Sequence, residues 1–163
     1  MSRLRLPLRQ MVGPCAFALT AIYASAACSQ SSFTPMAGAW SGTGVIELRS
    51  GTQERVRCKA NYVAESAGQS VKLELRCASD AYKFELSSTI VQDGTSLSGF
   101  WYESTHRIGG KISGHNNGGL IEARAEGDIV TALLTVKTEG NSQTFMMESP
   151  GAQVEQVSIE LHR

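Results

Sequence analysis

Apolar and polar residues alternate along most of this chain with a period of two. The segment 71–77 (Val-Lys-Leu-Glu-Leu-Arg-Cys) and the segment 157–161 (Val-Ser-Ile-Glu-Leu) are clear examples. Successive side chains of a strand point to opposite faces, so this alternation indicates antiparallel sheet with one buried and one wet face. Turn-forming residues separate the alternating segments, and no segment has a helical period. The pattern predicts ten strands, near 38–48, 54–64, 70–78, 82–91, 95–104, 107–114, 119–126, 129–138, 142–148 and 154–162.

The second and third predicted strands pair as a hairpin in one particular register. That register places Cys58 opposite Cys77 and Tyr62 opposite Leu73, around a turn between Glu65 and Ser70. Its apolar residues then share one face, an agreement that a slip of one residue would destroy. Directly opposed Cβ atoms are close enough for a sulfur–sulfur bond, so we expect a Cys58–Cys77 disulfide rather than a metal pair or a redox couple.

Glycines recur inside the predicted strands, at Gly42, Gly44, Gly99, Gly110 and Gly114. Glycine weakens a flat strand but permits the coiling and close backbone approach that barrel closure needs. The chain is therefore predicted to be all-β, a single antiparallel β-barrel of about eight to ten strands, with a β-sandwich as the alternative.

The N-terminal segment has the order of a secretory signal. Three arginines precede the apolar stretch 11–23, and small residues follow at 24–27. This predicts a cleaved signal peptide at 1–27, a polar leader at 28–37 and a single β domain at 38–163, exported to the periplasm or secreted. An uncleaved membrane anchor is the alternative, although the apolar stretch is short for a membrane span. Residues 25–28 also resemble a bacterial lipobox, with Ser25 where leucine is usual, which implies an alternative in which Cys28 is lipidated and anchors the protein to the envelope.

The charge balance argues against a nucleic-acid-binding protein. The chain has 15 basic and 15 acidic side chains, and residues 1–27 hold three of the basic ones and none of the acidic ones. The mature chain thus has 12 basic against 15 acidic residues, a net charge of −3. Arg55, Arg57 and Lys59 do cluster, but they alternate with apolar residues and indicate the wet face of a strand rather than a phosphate-binding groove.

Gly38-Ala39-Trp40 on the first predicted strand resembles the Gly-x-Trp opening of the calycin barrels, the lipocalin and avidin group. In that group the tryptophan closes one end of the barrel and an arginine from the last strand packs against it. The resemblance implies these roles for Trp40 and for Arg163. The segments 38–44, 55–58 and 77–86 also resemble a group of exported all-β proteins of alphaproteobacteria, which implies export and an all-β fold but no particular activity.

No residue cluster has a catalytic or metal-binding signature in the sequence. No serine lies in a Gly-x-Ser-x-Gly elbow, and Glu122 and Glu126 fall on a predicted wet face. Glu103, His106 and His115 are the candidates for a metal set, but exposed loop histidines explain them more simply. We expect a protein without enzymatic activity, cofactor or metal, and keep an enzyme with a carboxylate pair at the barrel mouth as an alternative.

Aromatic residues supply the remaining functional signal. Small β-barrels often hold one apolar ligand, and Trp40, Tyr62, Phe84 and Trp101 are the candidate ligand-binding residues. The predicted function is binding of a small apolar or amphipathic molecule. The alternative is an envelope protein-interaction module or an inhibitor of a secreted enzyme, which would present an exposed aromatic patch at Phe100 and Tyr102.

Overall fold

The computed structural model describes residues 32–163. The predicted signal peptide, Cys28 and residues 28–31 of the predicted leader lie outside the described residues. A short 3₁₀ helix at Thr34–Met36 precedes the first strand, and a second, at Ser66–Gly68, lies in the hairpin between the second and third strands. Neither is long or apolar enough to cross a membrane. The ten strands are β1 Gly38–Leu48, β2 Gln53–Glu65, β3 Ser70–Ala78, β4 Lys83–Asp93, β5 Ser96–Glu103, β6 Ile108–Asn117, β7 Leu120–Gly127, β8 Thr131–Glu139, β9 Ser142–Glu148 and β10 Val154–His162.

Each strand pairs antiparallel with the next one along the chain, and β1 pairs with β10. The sheet therefore closes into a barrel with no free edge, which confirms the predicted single antiparallel barrel and rules out the sandwich. Ten strands form within residues 32–163, each within a few residues of its predicted limits. The alternation succeeded because every strand has one face toward the interior and one toward solvent.

The predicted hairpin register is confirmed. Cys58 lies opposite Cys77, the two are bonded as a disulfide, and Tyr62 lies opposite Leu73. The same register brings Lys59 and Arg76 together, at a cost in charge repulsion. Glu85 on β4 lies opposite Arg76 on its other side and supplies the opposite charge.

Glycines allow neighbouring strands to approach closely. A Cβ atom on Gly42 would overlap the carbonyl oxygen of Glu160 on β10, and one on Gly110 would overlap the carbonyl oxygen of Glu126 on β7. Only residues without a side chain fit at these contacts, so the predicted role of these glycines in barrel closure holds.

Burial inside the barrel is uneven from one side to the other. The inward side chains of β1, β2, β3 and β10 are almost all buried, among them Ile46, Val56, Leu75 and Ile159. On β4 to β9 many inward side chains remain partly exposed. The packed core thus lies against the disulfide-bonded hairpin, and the less filled part of the interior lies against the opposite wall.

Candidate ligand-binding site

One end of the barrel is closed by the segment that precedes β1. Phe33, which precedes the 3₁₀ helix, is completely buried there, and Met36, the last residue of that helix, is almost completely buried. The Trp40 indole Nε1–H donates to the Met36 carbonyl at 2.8 Å, and the backbone N–H of Phe33 donates to the Gly68 carbonyl at 2.9 Å. Both apolar packing and hydrogen bonds therefore hold this closure in place.

Arg163 completes the closed end. Its guanidinium carbon lies 4.6 Å from the centre of the Trp40 ring, and its Nη1 donates to the Ala37 carbonyl at 2.9 Å. The arginine–tryptophan contact implied by the calycin resemblance is therefore present. A contact of this kind contributes about 0.5–1 kcal/mol at an exposed site.

Tyr62 lies in the same closed half and has a buried polar partner. Its hydroxyl donates to Gln143 Oε1 at 2.7 Å, and Gln143 Nε2 donates to Thr138 Oγ1 at 2.9 Å. Burial raises the pKa of Tyr62 well above its ordinary value, against the opposing effect of the Gln143 hydrogen bond. The hydroxyl thus stays protonated as a donor, and Trp40 and Tyr62 both have their polar atoms satisfied by the protein itself.

The opposite end of the barrel, where β1 ends and β10 begins, has no helix across it in residues 32–163. Several inward-facing apolar side chains in this half are only partly buried, although others, such as Ile46 and Val56, are fully buried. The partly buried ones are Leu48, Phe84, Leu86, Trp101, Ile108, Leu134, Met147 and Val154. These inward side chains therefore contact solvent at this open end of the barrel. Phe84 and Trp101 of the predicted set lie here, whereas Trp40 and Tyr62 lie in the closed half.

The Trp101 indole lies along the inner wall over two glycines. Trp101 pairs with Gly110 on β6, and Gly110 pairs with Gly127 on β7. A Cβ atom on Gly127 would lie only 3.1 Å from Trp101 Cζ2, and the indole Nε1–H donates to the Lys111 carbonyl at 3.2 Å. The hydrogen bond therefore ties the ring edge to the wall, beside Gly127. The sequence indicates Trp101 as a candidate but not its position over Gly110 and Gly127, because the three residues lie on three different strands.

Ser88 faces Trp101 from the adjacent strand. The two residues are directly opposed on β4 and β5, and Ser88 is only 8% exposed. Its Oγ is buried and has no hydrogen-bond partner in the described part of the chain. Ser88 was not among the predicted site residues, although the alternation of Phe84, Leu86 and Ile90 on β4 places it on the inner face.

Glu103 organises the rim of the open end. Its carboxylate is 1% exposed and accepts hydrogen bonds from the backbone N–H groups of Glu85 (3.0 Å), Thr105 (2.9 Å) and His106 (2.7 Å). The His106 Nδ1 also lies 2.7 Å from Glu103 Oε2. Burial raises the pKa of Glu103, but these hydrogen bonds outweigh it and lower the pKa to about 2. The carboxylate therefore stays charged at neutral pH and holds the β5–β6 turn.

The histidines considered for a metal do not come together. Glu103 and His106 meet, but His115 lies near the other end of β6, opposite Ser96 and Glu122. Within residues 32–163, no group of three or more histidine, cysteine, aspartate or glutamate side chains is arranged to hold a metal ion. Glu122 and Glu126 lie on the wet face as predicted, and Arg124 pairs with Glu126 at 2.7 Å.

Two shallow grooves lie on the outer surface of the barrel. One, of about 280 Å³, is bordered by Phe100 and Tyr102, which point outward and are 65% and 47% exposed. The other, of about 630 Å³, is lined by Arg55 and Arg57 and also by three acidic residues, Glu54, Asp80 and Glu160. Because the charges of the second groove largely offset each other, it favours neither an anionic nor a cationic ligand.

No protein-family model matches the chain, and no curated protein matches it in sequence. Solved structures do match its fold. Rv2717c from M. tuberculosis aligns with a TM-score of 0.62 at 14% identity, over 80% of this chain and 94% of that chain. The S-type phycobiliprotein lyase CPES from Guillardia theta aligns with a TM-score of 0.54 at 10% identity, over 80% of this chain and 89% of that chain.

At these identities the comparison concerns the fold alone. Both structures are all-β barrels of the calycin-like kind, in agreement with the Gly-x-Trp strand and with the contact between Trp40 and Arg163. The resemblance to exported alphaproteobacterial proteins has no counterpart among these matches and stays a prediction. The protein is thus a calycin-like antiparallel β-barrel, closed at one end and open at the other.

Proposed function

We propose that this protein binds a small apolar or amphipathic molecule in the open half of its barrel, without catalysing a reaction on it. The observation that supports this most is the set of partly exposed, inward-facing apolar side chains beneath the open end. Apolar surface in contact with water is unfavourable by roughly 25 cal/mol per Å², so a ligand that covers it gains affinity. Concave, mostly apolar sites are the usual form of a small-molecule pocket.

The proposed site uses half of the predicted residues. Phe84 and Trp101 line the open half and contact the ligand, whereas Trp40 and Tyr62 form the floor of the barrel. One neighbour in fold is, by its name, a lyase that acts on phycobiliproteins. That comparison is consistent with a barrel that binds a ligand. If the purified protein converted a bound ligand into a product, it would be an enzyme and the proposal would be wrong.

We also propose that the protein works outside the cytoplasm. The Cys58–Cys77 disulfide suits an oxidising compartment such as the periplasm. The charged, apolar and small-residue order of residues 1–27 supports the same conclusion. The intact mass of the protein purified from its own envelope fraction tests both export and the disulfide. Cleavage of the signal peptide, lipid attachment at Cys28 and the loss of two hydrogens on disulfide formation each change the mass by a distinct amount.

A neutral fluorescent probe, N-phenyl-1-naphthylamine, tests the binding proposal. We expect saturable binding to the purified protein, weakened about tenfold by Trp101→Ala, because stacking and apolar contact are both lost. Phe100→Ala is the matched control, since this aromatic residue is adjacent in the chain and points outward. Absence of saturable binding to the wild type, or equal loss in both variants, would contradict a site inside the barrel.

A protein-interaction role is the second candidate, and the exposed aromatic pair on β5 favours it. Phe100 and Tyr102 lie on the outer face, and Val91 on the neighbouring strand β4 is another exposed large apolar side chain. Exposed apolar patches of this kind mark partner sites. A photoreactive residue at position 100 should then give a crosslink of one defined mass in the envelope, whereas the same residue at position 124 should not.

A further inference from the structure

We propose that the ligand is a flat, neutral amphipathic molecule that stacks on Trp101 and exchanges a hydrogen bond with the hydroxyl of Ser88. This rests on the proposed binding function and specifies the chemistry of that same site. The two residues face each other across β4 and β5. Directly opposed residues have Cβ atoms about 4.5–5.5 Å apart, so one small molecule reaches both.

The preference for a flat ligand comes from the position of the Trp101 indole against the barrel wall. Gly110 and Gly127 leave the wall beside Trp101 without side chains, and the indole lies over this part of the wall. Its Nε1–H is engaged by the Lys111 carbonyl, which ties the ring edge to the wall. A ring held in this way offers a planar face, and offset stacking with another ring is the geometry that aromatic faces prefer.

The hydrogen bond comes from the unpartnered hydroxyl of Ser88. Its neighbours on the inner face are apolar, namely Leu86 and Ile90 on β4 and Leu73 on β3. A buried hydroxyl without a partner is unfavourable, and a serine side chain turns between staggered rotamers at little cost. Rotation of the Ser88 side chain toward the interior brings its hydroxyl to a bound molecule, and the hydroxyl can either donate a hydrogen bond to that molecule or accept one from it.

The neutrality of the ligand follows from the charges nearby. Glu103, the inward-facing carboxylate opposite Leu86, is already occupied by hydrogen bonds from its own turn. The inward residues next to Ser88 on its own and adjacent strands carry no charge. A charged group at this depth would lose its hydration without an opposite charge, so a hydroxyl, carbonyl or ether group suits the site better.

Competition against N-phenyl-1-naphthylamine measures this preference with three probes. 1-Naphthol has both the flat ring and the hydroxyl, 1-methylnaphthalene lacks the hydroxyl, and 1-decanol lacks the ring. Ser88→Ala should lower the affinity for 1-naphthol relative to 1-methylnaphthalene by roughly 3- to 10-fold, the range of one neutral hydrogen bond. Ser87→Ala, on the outer face of the same strand, is the control and should leave the ratio unchanged. Trp101→Leu should lower the affinity for 1-naphthol relative to 1-decanol by a similar factor.

Each outcome bears on the proposal. An unchanged naphthol-to-methylnaphthalene ratio in Ser88→Ala would overturn the hydrogen bond, and an unchanged naphthol-to-decanol ratio in Trp101→Leu would overturn the flat ligand. Both results are distinct from failure of the proposed function, in which the fluorescent probe does not bind the wild type at all. An equal fall in the affinity for 1-naphthol relative to 1-methylnaphthalene in Ser88→Ala and in Ser87→Ala would indicate a general change in the barrel. This result would also overturn the proposal.

Discussion

Replacement of Glu103 by glutamine should destabilise the barrel at neutral pH and should cease to matter in acid. The carboxylate is buried, and its pKa is lowered from 4.5 to about 2 by the backbone N–H groups of Glu85, Thr105 and His106 and by the His106 ring. A group with a lowered folded-state pKa stabilises the protein above its unfolded pKa, and this contribution is lost as the pH falls toward the folded value. The relevant window therefore runs from about pH 5 down to about pH 2.

The size of the effect follows from the same shift. A change from 4.5 to about 2 corresponds to about 3 kcal/mol, at 1.36 kcal/mol per pH unit. Glutamine keeps the shape of the side chain but replaces one acceptor oxygen by an amide NH₂, which faces backbone N–H donors. We therefore expect Glu103→Gln to lose about 3 kcal/mol of unfolding free energy at pH 7 and almost nothing near pH 2.

Urea unfolding of the wild type and of Glu103→Gln, at several pH values between 7 and 2, tests this reasoning. Carboxylates shared by the two proteins cancel in the difference between them, so the difference reports Glu103 alone. Glu126→Gln is the control, since that carboxylate is exposed and paired with Arg124 on the surface. Two parallel stability curves, with a difference independent of pH, would show that the charge of Glu103 does not hold the turn.

Three further predictions concern the stability of the barrel. Replacing Cys58 and Cys77 together by alanine should lower the unfolding free energy by about 3 kcal/mol, because the disulfide closes a loop over a separation of 19 residues. Dithiothreitol should lower the melting temperature of the wild type but not that of the double variant. An equal fall in the melting temperature of both proteins would contradict this. Phe33→Ala should cost about 3 kcal/mol in chemical unfolding because the side chain is fully buried, whereas Thr34→Ala, on an exposed neighbour, should have little effect. Arg163→Gln should cost about 1 kcal/mol or less. A larger loss would mean that Arg163 does more than cover Trp40 and bind the nearby carbonyl groups.

The strands and the hairpin register could be predicted because they depend on neighbours in the chain. Alternation with a period of two separates inward from outward positions, and a slip of one residue reverses them all. That is why the pairing of Cys58 with Cys77, the ten strands and the wet face of Glu122 and Glu126 follow from the residues alone. A closed barrel was favoured over a β-sandwich, because glycines inside strands permit the coiling and close backbone approach that closure needs.

The depth of each side chain in the barrel could not be predicted in this way. Alternation places Trp40, Tyr62, Phe84 and Trp101 on the inner face alike, but the tilt of the strands and the closing segment at 33–36 decide which of them solvent can reach. The buried carboxylate of Glu103 escaped prediction for a related reason, since its partners come from two other elements, β4 and the β5–β6 turn.

The sequence by itself thus determined the all-β class, the approximate limits of the strands, the register of the hairpin with its Cys58–Cys77 disulfide, and the inward or outward direction of side chains in the alternating strands. These properties follow from the local geometry of a pleated strand. Only the tertiary structure decided that one end is closed and the other open, that Trp101 lies over Gly110 and Gly127, and that the buried hydroxyl of Ser88 has no hydrogen-bond partner within residues 32–163. These features join residues that are distant in the chain, and only the closure and tilt of the whole barrel bring them together.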